Sequence, residues 1–175
     1  IILGVVVAVI FGALQMLAKS PHADRSSTWK DLYQEALGYR EGYGSHIVLA
    51  DPGMRMLFNT RVPFGTDLPM LPRPRGRAAV PAALETGRPA VGDVFLGPIA
   101  REPLIAAAVP GIRGGTITFV LVSTFETQIF QKRLDQVELP AGWALSLLDG
   151  TGVPIARRAP PGMNFNVTKK EKGHA

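Results

Sequence analysis

The chain has 175 residues, of which 46% are hydrophobic and 19% charged, a composition that excludes a wholly disordered chain and permits one sizeable core. It contains no cysteine, which excludes disulfide frameworks, thiol catalysis and cysteine zinc sites. The basic residues behind the net charge of +5 are scattered along the chain, and only 7% of the residues are aromatic. Nucleic-acid-binding surfaces instead combine a basic stripe with aromatic residues, so we expect no nucleic-acid partner.

The first 18 residues carry no charge and predict an apolar N-terminal helix. Such a helix would be about 27 Å long, just short of the ~30 Å apolar slab of a bilayer. Two interpretations stay open: the end of a transmembrane helix, or a stalk helix that lies against the following domain. Ser20-Pro21 ends the helix, because proline lacks an amide hydrogen and disfavours helix in the residue before it.

A second helix is predicted after residue 28, because apolar residues recur every three or four positions until Gly42 and Gly44 end the pattern. A β-hairpin follows, with a first strand at 46–50, an Asp51-Pro52-Gly53 turn and a second strand at 54–60. We expect the Asp51 carboxylate to accept hydrogen bonds from amides of the turn.

Residues 63–76 predict a long ordered loop that crosses the sheet, since four prolines (63, 69, 72 and 74) prevent this segment from pairing as a central strand. A short helix at 78–85 follows. Three strands at 91–96, 103–109 and 116–123 then predict an antiparallel meander.

The last predicted elements are a helix at 125–137 and a hairpin at 143–157. The second hairpin resembles the first, because both consist of an apolar strand, an aspartate, a glycine turn and another strand. This likeness predicts a tandem repeat of about a hundred residues whose second copy is incomplete.

Residues with chemical potential do not form an evident catalytic or metal centre. The three histidines (22, 46 and 174) are widely spaced and lack carboxylate neighbours at ligand spacing, so we expect no metal and no cofactor. Nucleophile and phosphate-loop motifs are also missing. We therefore expect no catalytic residue, and a hydrolase would need a nucleophile–base pair that the sequence does not show.

Candidate ligand contacts lie around the proline-rich loop. Arginine offers a planar fork that matches carboxylates, and three arginines (73, 75 and 77) lie in this loop; the alternative is a solvated basic loop. Asn59 and Thr60 end the preceding strand and could orient a ligand. The full set of predicted ligand-binding residues adds a sheet-face lining to these: Asn59, Thr60, Arg73, Arg75, Phe95, Ala107 and Phe119.

Several short motifs, in this order and with these gaps, resemble the double Cache (PDC-like) sensor domain of bacterial receptors, in particular of membrane-bound histidine kinases. The likeness extends from about residue 13 to residue 158. The matching segments are 13–21, 47–53, 57–65, 86–89, 96–98 and 139–143.

The resemblance implies an α+β, PDC/Cache-like (PAS-like) fold, with a five-stranded antiparallel sheet, a long N-terminal helix and flanking helices. It divides the chain into a stalk or membrane-adjacent helix (1–20), a sensor module (21–138) and the start of a truncated second module with a polar tail (139–175). The implied partner is a small molecule bound outside the cell.

The resemblance further implies an inner-membrane protein whose periplasmic domain dimerises through the N-terminal helix and signals through it to a cytoplasmic kinase. One departure limits it: the spaced Tyr, Arg, Trp and Asp of amino-acid-binding Cache domains are not evident, so the ligand class does not carry over. A structural or dimerisation module of a receptor that binds no ligand is the alternative.

Overall fold

The computed structural model describes residues 2–73 and 76–162, with side chains from residue 8 onward. The helices are α1 (Ile2–Ala18), α2 (Trp29–Tyr43), α3 (Ala79–Thr86) and α4 (Thr127–Asp135). The strands are β1 (His46–Ala50), β2 (Met56–Asn59), β3 (Ala90–Val91), β4 (Phe95–Leu96), β5 (Pro103–Arg113), β6 (Thr116–Glu126), β7 (Leu145–Leu148) and β8 (Pro154–Arg158). Two short 3-10 turns, Pro21–Ala23 and Ser26–Thr28, join α1 to α2.

The main sheet is antiparallel, with strand order β2-β1-β6-β5, and β3 and β4 both pair with β5 at its far edge. The sheet therefore has the five positions that the sequence predicts, but two short strands share the fifth. The prediction of one strand at 91–96 is wrong. At Asp93 the backbone leaves the ladder, because its amide donates to the carbonyl of Arg77 at 2.7 Å instead of to β5.

Alternate side chains of the sheet enter two separate cores, as the period of two in a strand requires. On one face, here called the helix face, Ile47, Leu49 and Leu121 pack against α1 and α2. On the opposite face, here called the loop face, Val48 and Val122 pack against α3 and the chain between β2 and α3, here called the crossing loop. Any ligand site under the crossing loop must therefore use loop-face residues.

The end of α1 is part of the helix-face core. Leu14, Leu17 and Ala18 are buried, and the Tyr39 hydroxyl of α2 donates to the carbonyl of Ala13 at 2.6 Å. This packing favours the stalk-helix interpretation for the C-terminal half of α1. Among the described residues, no helix combines the length and the apolar character that crossing a membrane requires.

The helix predicted at 125–137 begins two residues later than expected. Phe125 and Glu126 continue β6, where they pair with Ile105 and Leu104 of β5. Because side chains alternate along a strand, Glu126 lies on the loop face together with Thr124 and Val122. This displacement moves a carboxylate from the predicted helix onto the sheet.

The two hairpins share one turn geometry. In the β1–β2 turn the amides of Met54 and Arg55 donate to the carbonyl and the carboxylate of Asp51. In the β7–β8 turn the amides of Gly152 and Val153 make the same two bonds to Asp149. The fourth turn residue has a positive φ in both, 70° at Met54 and 84° at Gly152. The polar tail beyond residue 162 lies outside the described residues.

Candidate functional site

Two small adjoining cavities lie between the loop face of the sheet and the crossing loop. Their volumes are about 40 Å³ and about 30 Å³. Phe95, Thr124 and the Leu71-Pro72 segment border both of them. A water needs roughly 10–15 Å³ of such volume, so each cavity has room for two or three water-sized groups. An open groove of about 450 Å³ lies farther along, beside the β1–β2 turn.

One end of the smaller cavity is polar, because Arg61, which lines it, belongs to an ion cluster. Arg61, which follows β2, donates from Nη1 to Glu126 Oε1 at 2.7 Å. Arg40 of α2 donates from Nη1 to Glu126 Oε2 at 3.0 Å. The side chains of Arg61 and Glu126 are only 11% and 12% exposed. This is a nearly buried pair, in which the loss of one partner would leave a charge uncompensated.

The carboxyl of Glu126 stays ionised despite its burial. Burial raises its pKa, but hydrogen bonds from Arg61, from its own backbone and from Arg40 outweigh that effect, so the pKa lies below the usual 4.5. The cluster therefore contains two cations and one anion at neutral pH.

His46 of β1 lies beside this cluster and is neutral at pH 7. Burial, followed by the positive charges of Arg61 and Arg40, lowers its pKa from 6.5 to about 4, against the opposing effects of Glu126 and of the hydrogen bond with Thr60. The ring nitrogen Nδ1 lies 3.3 Å from the hydroxyl of Thr60. His46 therefore adds a polar group but no charge.

The guanidinium of Arg61 has unused hydrogen-bonding capacity. Its Nε and Nη2 atoms are buried, and no described residue accepts a hydrogen bond from either. A buried donor without an acceptor costs about 1–3 kcal/mol. Asn59 adds a second weakly used donor, since within the described ranges its amide nitrogen reaches only the Met56 sulfur, at 3.9 Å. Both residues line the smaller cavity, which therefore has donors at its polar end.

The structure brings two of the predicted ligand residues to the cavities. Asn59 borders the smaller one, and Phe95 borders both. Thr60 is next to them, but its hydroxyl accepts from the amide of Ile47 at 2.9 Å and so holds β2 to β1. Arg73 lies on the open groove and is exposed.

The other predicted ligand residues lie elsewhere. Ala107 and Phe119 are on the helix face, packed in the core with α1 and α2, because they are one residue out of phase with the loop face. Arg75 lies outside the described residues.

Sequence reasoning missed the ion cluster. Arg61 belongs to the segment 57–65 that carries the resemblance, but no local pattern marked it as a site residue. Glu126 falls within the helix predicted at 125–137, and the sequence predicts no role for Arg40 in the second helix. The available signal was the alternation of β6, which would have placed Glu126 with Thr124 had the strand been extended by three residues.

Comparisons with known proteins give a fold but no close relative. No family model matches the chain, and no curated protein matches it significantly. The ligand-binding domain of the Pseudomonas aeruginosa PAO1 amino acid chemoreceptor PctB, solved with L-Arg, is similar with a TM-score of 0.60 at 19% identity, covering 85% of this chain and 67% of that domain.

Two further solved structures agree with this result. The ligand-binding domain of Campylobacter jejuni chemoreceptor Tlp3 with L-valine has a TM-score of 0.60 at 16% identity, over 86% of this chain and 62% of that domain. The ligand-binding domain of Pseudomonas fluorescens chemoreceptor CtaA with L-serine has a TM-score of 0.60 at 14% identity, over 85% of this chain and 63% of that domain. This chain thus spans somewhat less than two thirds of the last two domains.

At such low identity the likeness establishes the fold alone, since one fold supports many functions. It confirms the predicted α+β architecture, with a curled antiparallel sheet and flanking helices. The chain has the PDC/Cache-like fold that is also found in chemoreceptor ligand-binding domains.

Proposed function

We propose that this chain is the ligand-sensing portion of a transmembrane signal-transduction protein and that it binds a small molecule beneath the crossing loop. The observation that supports this most directly is the pair of cavities between the loop face and the crossing loop, with hydrogen-bond donors at one end. Pockets with a mostly apolar lining and a few convergent polar groups are typical of small-molecule sites. Solved domains of the same fold are described as binding amino acids.

The protein class and location are further parts of this proposal. We infer an extracytoplasmic, periplasmic domain of an inner-membrane sensor histidine kinase, on the resemblance of the segments around the β1–β2 hairpin. A ligand would shift the population of two receptor states only by its differential affinity for them. No catalytic role is proposed for the described residues.

A second function, a dimerisation module without a ligand, is favoured by one observation. On α1, Val9 and Met16 are 51% and 68% exposed, although the same helix buries Leu14 and Leu17. Exposed apolar residues on a helix suit pairing with a second copy. The N-terminal helix would then hold two protomers together, as the resemblance implies.

Thermal melts against a panel of metabolites test the sensory proposal. We expect at least one small molecule to raise the melting temperature of the chain, because ligands that bind only the native state stabilise it. Ala100 lines the smaller cavity, so Ala100→Leu should abolish the shift, whereas the same change at the exposed Ala141 should preserve it. If no compound shifts the melt, or if both variants respond alike, the cavities are not a ligand site.

Sedimentation tests the alternative function. A double variant, Val9→Gln with Met16→Gln, should be monomeric at concentrations where the unaltered chain is dimeric. Leu96→Gln is the matched control, since Leu96 is 67% exposed on β4 and away from α1. Dimers that persist in the double variant would exclude pairing through this face.

A further inference from the structure

The guanidinium of Arg61 is used on one side only. Nη1 donates to Glu126, while Nε and Nη2 are buried and meet no acceptor among the described residues. The Nε–Nη2 edge of arginine presents two parallel N–H groups, the arrangement that binds the two oxygens of a carboxylate. The cluster with Glu126 therefore leaves the bidentate edge of Arg61 for another acceptor.

The charges around this edge favour an anion. Arg40 and Arg61 contribute two positive charges, Glu126 contributes one negative charge, and His46 is neutral. One carboxylate would make the cluster neutral. Within the described part of the chain, Thr124 and Asn59 are the other polar side chains that line the smaller cavity, and neither carries a charge.

The remaining walls suit a short aliphatic group. Leu71, Phe95 and Ile99 line the smaller cavity, and its floor is Val48 of the sheet. The two adjoining cavities together offer about 70 Å³, room for about five water-sized groups. A carboxylate with one to three attached carbons fills that volume.

The same surroundings disfavour an α-amino acid, because no Asp or Glu among the described residues lines the smaller cavity to pair with its ammonium group. Both oxygens of Glu126 are held by arginines. Asp93, which lines the larger cavity, accepts the amides of Arg77 and Gly150 on its two oxygens, at 2.6 and 2.7 Å. A ligand ammonium would therefore have to share these oxygens with the groups that already donate to them.

We propose that the ligand of this domain is a small monocarboxylate of about two to four carbons. Its carboxylate is held by Nε and Nη2 of Arg61, with the Asn59 amide beside it, and its aliphatic tail lies against Leu71 and Phe95. This inference rests on the proposed sensory function and names the ligand class for the same site. The proposed ligand class differs from the amino acids that are bound in the solved domains of the same fold.

Isothermal titration of the unaltered chain with sodium propionate tests the ligand class. Sodium chloride controls for ionic strength, propionamide has nearly the same shape without the charge, and L-alanine adds an ammonium group. We expect propionate to bind and both propionamide and alanine to bind at least tenfold more weakly. Equal binding of propionamide, tighter binding of alanine, or no binding of propionate would each overturn the proposal.

Variants test the role of Arg61. Arg61→Lys should weaken propionate binding at least tenfold, because an ammonium lacks the planar fork. Arg55→Lys is the matched control, since Arg55 is exposed at the other end of the same hairpin. The Nε–H resonance of Arg61 in the unaltered chain gives a readout that does not depend on a variant: it should shift with propionate and not with propionamide. A resonance that is indifferent to propionate would contradict the proposed contact.

The two proposals fail in different ways. If propionate does not bind but an uncharged or zwitterionic metabolite shifts the melt in an Ala100-dependent manner, the domain is a sensor and the carboxylate inference is wrong. If neither propionate nor any panel compound binds, the sensory function itself is wrong.

Discussion

At the scale of single residues, His46 is a charge-sensitive position in the interior. Its pKa is about 4 in the folded chain against an ordinary 6.5, so between these values the unfolded chain binds more protons than the folded chain. Stability that depends on a neutral His46 is therefore complete above pH 6.5 and falls as the pH drops from about 6.5 to about 4. The structural reason is the burial of the ring beside Arg61 and Arg40.

We expect His46→Gln to remove much of this acid dependence, because glutamine keeps a polar group but does not titrate. Urea unfolding at several pH values between 7.5 and 4 measures the effect as the change in unfolding free energy. His22→Gln, at an exposed histidine outside the cluster, serves as the control. If the two variants lose stability in parallel with the unaltered chain on acidification, His46 is not the group responsible.

Glu126 is the second residue with a large expected effect. Glu126→Gln would leave Arg61 buried without its counter-charge, so we expect a loss of ~3 kcal/mol in unfolding free energy at pH 7. Asp24→Asn removes the partner of Arg113 in a more exposed ion pair of 2.6 Å, where the loss should be about 0–1 kcal/mol. Denaturant melts of both variants provide the comparison. Equal losses would mean that the burial of the Glu126 cluster is energetically unimportant.

At the scale of elements, the hairpins were predictable because their turn chemistry is local. Asp51-Pro52-Gly53 predicted the turn and hydrogen bonds from turn amides to the Asp51 carboxylate, and in the structure the amide of Arg55 donates to it at 3.0 Å. The break between β3 and β4 was not predictable, because the amide of Asp93 bonds to Arg77, 16 residues earlier in the chain. The helix start was misplaced for a related reason: Phe125 has a helical period with Ile129, but pairing with β5 outweighs it.

The same distinction applies to the candidate site. Asn59 and Phe95 were within reach of sequence analysis, because each lies in or beside a recognisable strand. Glu126 is in β6 and Arg40 in α2, while Arg61 follows β2, and their hydrogen bonds join residues 65 and 86 positions apart. Only the folded sheet brings them together, so no local spacing could indicate the cluster.

The two aspartate turns provide a test at this scale. Asp51 accepts one amide, that of Arg55, on its carboxylate. Asp149 accepts the amides of Thr151 and Val153 and, across to the main sheet, that of Val94. Hydrogen bonds to a charged acceptor contribute about 1.5–3 kcal/mol each at most, less at exposed turns.

We therefore expect Asp149→Ala to lower the melting temperature clearly more than Asp51→Ala, by the equivalent of ~1 kcal/mol or more. Thermal unfolding followed by circular dichroism measures both variants under one condition. Each variant is the control for the other, since the two turns share their backbone geometry. A larger loss at Asp51 would mean that the contact of Asp149 with Val94 adds nothing.

At the scale of the whole molecule, Asp93 connects the crossing loop, the segment between β3 and β4, and the β7–β8 turn. Its side chain is 7% exposed and lines the larger cavity. One carboxylate oxygen accepts a hydrogen bond from the amide of Arg77, at the end of the crossing loop. The other accepts a hydrogen bond from the amide of Gly150, in the β7–β8 turn. In the opposite direction, the carboxylate of Asp149 in that turn accepts a hydrogen bond from the amide of Val94 at 3.1 Å. A movement of the cavity wall therefore has a direct hydrogen-bonded route to the β7–β8 hairpin, whereas α1 packs on the opposite face of the sheet.

Asp93→Ala should uncouple that hairpin without unfolding the sheet. Hydrogen exchange followed by mass spectrometry should show peptides over residues 149–158 exchanging roughly tenfold faster, while β1 and β6 keep their protection, because the lost bonds lie outside the central ladder. Asp67→Ala, at an exposed position of the crossing loop, is the control and should change neither region.

Gly150→Ala offers a second approach, since an added Cβ would lie 2.7 Å from the Asp93 carboxylate and push the turn away. If Asp93→Ala and Gly150→Ala both leave 149–158 unchanged, α4, which also packs on β8, holds the hairpin instead. Ligand-dependent movement under the crossing loop would then have to reach the rest of the receptor through the sheet and α1.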